Sequence, residues 1–172
     1  SANYERGLKV IGGNTDFERW EFDTSYKKML RTLRILNIRA GGGFYTQRKT
    51  NYFVDFANFH DQTLPDGWDD EWTGQFQLLD KRWYNASNYY LRSHVSYESP
   101  MLFMTRLPYF GRFIETERLY LSTLSIERTR PYSEIGYGFS NRFFSVGLFA
   151  SFLNADFEEF GCKITLELFR RW

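Results

Sequence analysis

A strict two-residue alternation constrains this chain more than any other feature, because successive side chains of an extended strand point to opposite sides. In 144–152, Phe144, Val146, Leu148, Ala150 and Phe152 share one face, against Ser145, Gly147, Phe149 and Ser151. In 34–46, Leu36, Ile38, Ala40 and Phe44 oppose Asn37, Arg39, Gly41 and Gly43. In 87–98, Tyr89, Leu91, Val95 and Tyr97 oppose Arg92, His94, Ser96 and Glu98. The pattern recurs in 16–27, where Trp20, Phe22 and Tyr26 oppose Arg19, Glu21, Asp23 and Lys27, and in 132–139, where Ile135, Tyr137 and Phe139 oppose Glu134, Gly136 and Gly138. It returns in 161–172, where Ile164, Leu166, Leu168 and Trp172 alternate with Lys163, Thr165, Glu167 and Arg171. Weaker alternation covers 4–12 and 117–128. The latter fits only with a change of phase between Leu119 and Leu124, which a bulge would supply. The expected fold is all-β and antiparallel, with about 7–8 strands of roughly 9–13 residues, near the length that crosses a bilayer at a tilt.

Two barrels satisfy such alternation. A soluble, lipocalin-like ligand-binding barrel turns its apolar face inward, whereas a transmembrane barrel turns it toward lipid. The second faces carry glycine, serine and charges of both signs, which suits an enclosed lumen in which ionic groups neutralise one another. The expected lumenal network is Arg19, Glu21, Arg39, Arg92, Glu98, Arg128, Glu134, Glu167 and Arg171. The expected lipid-facing set is Phe144, Val146, Leu148, Phe152, Ile164, Leu166, Leu168 and Trp172. Trp20, Tyr45, Tyr89, Tyr97, Tyr132 and Trp172 fall at strand ends, where interfacial aromatic girdles lie. Aromatic residues make up 20% of the chain although mean hydropathy is −0.51, an odd pairing for a soluble core. The transmembrane barrel is the favoured reading.

Connections sort by length. Those at 28–33 and 140–142 are short, 153–159 is longer, and 46–86 is an excursion of about 40 residues, more than a compact soluble domain usually tolerates. With the C-terminus on the periplasmic side, 46–86 becomes a long external loop. The apolar segment 99–116, with two prolines, then lands on the periplasmic side as a short interfacial piece. No apolar run reaches the length of a transmembrane helix. Residues 1–10 do not read as a signal peptide, so such a leader is expected to have been removed or to precede this stretch.

Chemical signals are sparse. Net charge is +1 from 22 basic and 21 acidic residues, so no bulk field points to nucleic acid. Asp66, Asp69, Asp70 and Glu71 crowd one loop, but not with the spacing of a calcium loop, and read as a solvated surface. His60 beside Asp61, and His94 beside Arg92, are the histidines available to an outer-membrane acyltransferase or hydrolase. No serine sits in a nucleophile-elbow motif, and no enzyme activity is expected. Gly41–Gly43 form no phosphate loop and suit tight curvature or close approach of another segment. Cys162 is alone and reads as a small apolar side chain. No cofactor and no metal are expected.

The terminal strand ending on an aromatic resembles the C-terminal signal of Gram-negative outer-membrane barrels, except that Arg170 stands where an apolar residue is usual. More closely, "FERWEFD" (17–23), "RAGGGFYT" (39–46), "NYFVDFANF" (51–59), "RWYNASNYYLR" (82–92), "YESP" (97–100), "RPYSEIGYGF" (130–139) and "GCKITLELFRRW" (161–172) resemble an uncharacterised outer-membrane family of Bacteroides-type bacteria. In that family a carboxypeptidase-regulatory-like domain precedes a barrel distantly similar to the assembly-factor and surface-antigen superfamily. The resemblance implies the closing half of a larger barrel in a Gram-negative outer membrane, with loop 46–86 folded back into the lumen. Its implied partners are outer-membrane lipid, the barrel-assembly machinery during biogenesis, and a protein of a membrane complex. Its implied task is transport, assembly or docking. The superfamily's lumenal Arg-Gly-aromatic motif is absent from 46–86, which separates this chain from its translocating members.

Overall fold

The computed structural model describes residues 1–7, 16–50, 59, 72–80, 88–109 and 111–166. His60, the acidic run at 66–71, Glu167, Leu168, Arg171 and Trp172 lie outside them. Eight strands carry the fold: β1 (Ala2–Gly7), β2 (Asp16–Leu30), β3 (Arg34–Thr50), β4 (Tyr89–Ser99), β5 (Thr116–Ile126), β6 (Tyr132–Ser140), β7 (Phe144–Leu153) and β8 (Asp156–Leu166). A single 3-10 turn, Met104–Arg106, is the one helical element among the described residues. The strands form one antiparallel sheet in sequence order, so every strand pairs with its neighbours in the chain. β1 and β8 are its two edges and are not paired with each other, so the eight strands leave the sheet open.

Turn chemistry sets the strand ends. Asn154 and Ala155 both have positive φ, 54° and 69°, the geometry of a two-residue hairpin whose twist matches its strands. The longer connection expected at 153–159 is therefore absent: β8 begins at Asp156, and Phe157 pairs opposite Phe152. Asn141 makes the β6–β7 turn by accepting the N–H groups of Phe143 and Phe144 at 2.8 and 2.9 Å.

The expected bulge in 117–128 is also absent. β5 pairs without a register shift on both sides. Leu119 and Leu121 point to one face, and Leu124 and Ile126 to the other, because this strand has apolar neighbours on both. Leu124 is 1% exposed, packed in a cluster with Phe59, Phe76, Leu79, Tyr90 and Tyr132.

The connections alternate between two ends of the sheet. At one lie 31–33, 100–115 and 141–143; at the other lie the connection between β3 and β4, then 127–131 and 154–155.

Candidate functional site in the covered face of the sheet

One face of the sheet is covered by residues 72–80, which belong to the long connection between β3 and β4. Trp72 packs edge-on against Tyr120 of β5 and Phe149 of β7, with ring centroids 6.4 and 5.8 Å apart. Glycine makes the room: a Cβ on Gly147 would lie 2.7 Å from the Phe149 ring and 2.9 Å from Trp72, and one on Gly136 would lie 2.5 Å from Phe149. Phe76 lies 4.6 Å from His94 and 5.9 Å from Tyr132. Leu78 occupies the space above Gly161 on β8.

Polar contacts fix the same segment. The Thr73 hydroxyl donates to Ser96 Oγ at 3.2 Å, and Arg39 Nη1 donates to the Gly74 carbonyl at 3.1 Å. Glu134 receives the backbone N–H groups of Gln77 and Leu78, one on each carboxylate oxygen, at 2.8 and 2.9 Å. Tyr132 donates to the same carboxylate at 2.6 Å. Lys163 of β8 donates to Gln77 Oε1 at 2.9 Å. Residues 72–80 thus contact strands β3 through β8. Laid flat, those strands would spread over about 24 Å. One short, turn-rich segment reaches all of them because the sheet curves around it.

Beside this plug the face is ionic. Asp23 accepts from Arg39 at 2.9 and 3.1 Å and also from Arg92, so one carboxylate on β2 ties together β3 and β4. Arg19 pairs with Glu5 and, at 3.5 Å, with Glu21, which accepts the Tyr90 hydroxyl at 3.1 Å. Arg118 donates to Glu98 at 2.7 Å. His94 shares a hydrogen bond of 2.9 Å with Ser122 through Nδ1, while its buried Nε2 has no partner. A serine–histidine dyad works as a nucleophile when a third group orients the base. Here the second ring nitrogen meets no carboxylate, and Phe76 packs edge-on to the ring. Among the described residues no cluster of three or more metal-ligating side chains occurs.

Of the expected charge network, Arg19, Glu21, Arg39, Arg92, Glu98 and Glu134 lie on this covered face. Arg128 does not. It sits in the 127–131 turn with positive φ and an 88% exposed side chain, 3.8 Å from Glu127. The cause is the end of β5 at Ile126, after which the period-two count no longer applies. Glu134 holds backbone N–H groups rather than a cation. Arg118, Lys163 and Glu5 are members that the expected network omits. The register of β2 gives away Asp23, which shares a parity with Arg19 and Glu21, and the parity opposite Leu119 and Leu121 gives away Arg118 in the same way.

The opposite face is apolar and, away from the connection between β4 and β5, uncovered. Leu91, Ile164 and Leu166 are 62–66% exposed, whereas Arg39, His94 and Glu134 on the covered face are 2–5% exposed. Phe144, Val146 and Leu148 take the parity opposite to Gly147, Phe149 and Ser151, and so face away from the plug. Phe152 sits next to a register shift, with its ring 6.0 Å from Phe157. The expected aromatic girdle is only partly placed. Trp20 and Tyr89 are on the uncovered face, but Tyr45 and Tyr132 are buried on the other, since their parity follows the charged residues.

An all-β chain of this kind is an antiparallel meander with a charged, plugged face and an apolar, bare one. Residues 1–139 match the family described as "Family of unknown function (DUF5686) C-terminal domain", and the chain belongs to that family. No curated protein and no solved structure matches it.

Proposed function

We propose that this chain forms part of the wall of a transmembrane β-barrel in the outer membrane of a Gram-negative bacterium, with residues 72–80 as its lumenal plug. The carrying observation is the inverted polarity of the sheet. Apolar side chains are bare on one face, while salt bridges, glycines and a loop occupy the other. In water, a bare apolar face of this extent is an aggregation hazard; in a bilayer it is the lipid-facing wall. The plug is the functional element, through which passage or docking of another component is controlled. Its partners are outer-membrane lipid, the barrel-assembly machinery during biogenesis, and a protein of a membrane complex that displaces or reads the 72–80 segment.

The test uses nitroxide labels placed singly at 145, 146 and 148 in a Cys162→Ser background, since Cys162 is exposed, with the protein reconstituted in phospholipid. Lipid-soluble oxygen is expected to reach 146 and 148, and to reach 145 far less, since its parity is that of the covered face. If 146 and 148 are shielded from oxygen and from a water-soluble nickel complex alike, the apolar face is covered by protein and the transmembrane reading fails.

A further inference from the structure

The connection between β4 and β5 is not a free loop. It folds back over the outer, apolar face of the sheet and is clamped there by Glu117, which is 0% exposed. Glu117 pairs opposite Phe139 on the face away from the plug. Its carboxylate accepts the backbone N–H groups of Leu102, Phe103 and Met104 at 3.2, 2.7 and 3.1 Å, and the Tyr137 hydroxyl as well. The Phe103 ring packs edge-on to Tyr137, 5.9 Å away. A carboxylate that is fully buried needs such donors, and here they come from three consecutive residues of one turn. That fixes the segment as a rigid foot.

What the foot presents is apolar and cationic. Met101, Phe103, Tyr109 and Phe113 are 63–83% exposed, as are Met29, Leu33 and Phe143 (69–76%) in the neighbouring turns at the same end. Among them stand Lys28, Arg31, Arg34, Arg106 and Arg112, all exposed. Over 28–34, 100–115 and 141–143 the one acidic residue is Glu115. The other end is mixed among the described residues: Arg128 and Arg130 occur there together with Glu127, Asp156, Glu158 and Glu159.

Resting on the transmembrane reading, we propose that the short-turn end is an anionic-phospholipid rim. In it, the Glu117-clamped foot lies in the interface with Phe103, Tyr109 and Phe113 at the acyl boundary and Arg106 and Arg112 on headgroup phosphates. Aromatic and long apolar side chains beside cations are the composition that seats a segment at this depth. Cations near the surface of an anionic leaflet each gain enough to change lipid preference severalfold. The same arrangement orients the chain, with this end toward the leaflet richer in anionic phospholipid.

The full chain is reconstituted in phosphatidylcholine vesicles with and without phosphatidylglycerol, and the protein-restricted fraction of each spin-labelled lipid is measured. The expected result is preferential restriction of phosphatidylglycerol, reduced by up to about fivefold for each of Arg106→Gln and Arg112→Gln. Nitroxides at 103 and 113, in the Cys162→Ser background, are expected at the boundary between headgroups and acyl chains, and Glu117→Gln is expected to raise the mobility of the label at 103. Equal restriction of both lipids, or labels at 103 and 113 as open to water as one at 129, overturns the proposal. A label at 148 separates the two readings. Lipid contact at 148 with a watery 103 removes only the foot, whereas shielding at 148 removes the barrel as well.

Discussion

At the scale of single residues, the plug depends on Glu134. Its side chain is buried and accepts two backbone N–H groups of the 72–80 segment together with the Tyr132 hydroxyl. Truncation to alanine leaves those three donors without their acceptor, and hydrogen bonds to charged groups are the costly ones to lose. Glu134→Ala should therefore lower stability by about 3 kcal/mol, and Glu134→Gln, which keeps one acceptor oxygen, by about half of that. Urea unfolding of the protein in lipid measures both, and Trp72 fluorescence reports whether the plug itself has moved. Wild-type curves for both variants would show that the plug is held by packing alone. Asp23 makes a different case, because it neutralises two arginines at once. Asp23→Asn should destabilise by roughly 1–3 kcal/mol, less than a fully buried pair because the carboxylate is partly exposed, and adding Arg92→Gln should recover part of the loss. A strictly additive double variant would mean that Asp23 and Arg92 do not interact.

At the scale of elements, the small residues of β6, β7 and β8 explain why the sheet can hold anything at all. Gly147→Val would drive a branched side chain into Phe149 and Trp72, where even a Cβ is already too close. Overpacking of this kind costs typically 1–3 kcal/mol, and the cheaper relief is ejection of the plug. The expected outcome is faster proteolysis within 72–80 and a red-shifted Trp72, with the strands still formed by circular dichroism; unchanged cleavage would place Trp72 elsewhere. Much of this architecture was legible in the chain. Period-two alternation located the strands, and parity assigned Arg39, Arg92 and Glu134 to one face. What alternation could not reveal was where polarity stops reporting the face. Leu124 and Ile126 are apolar yet point to the charged side, because Phe59, Phe76 and Leu79 of the distant connection cover them. Tyr45 and Tyr132 look like girdle residues by position but lie on the covered face. Glu117 is charged yet sits on the apolar side, satisfied by backbone donors of a loop. Each of these depends on contacts remote in sequence, which local pattern does not carry.

At the scale of the whole molecule, under the transmembrane reading proposed above, the open edges decide how the wall would close. In a bilayer an unpaired N–H or C=O costs several kcal/mol, so β1 and β8 cannot both face lipid unpaired. Either they pair with each other or further strands lie between them. An eight-stranded barrel has an interior just wide enough for its own side chains. Here the interior must also accommodate residues 72–80 and Phe59, with Trp72 and Phe76 inserted among the inward side chains of β4 to β7. That volume argues for a larger ring, in which additional strands join β8 to β1. Tyr4 and Cys162 both lie on the outer face of these edge strands, which makes Tyr4→Cys a direct probe. In lipid, the amides of β1 and β8 should exchange as slowly as those of β4 and β5, while oxidation should leave cysteines 4 and 162 unlinked. Slow exchange with an efficient disulfide would instead mean that the eight strands close on themselves and that the plug is squeezed out or rearranged. Fast exchange at both edges would mean that neither is paired, a state a bilayer does not permit, and the wall would then have to be sought in an aqueous assembly.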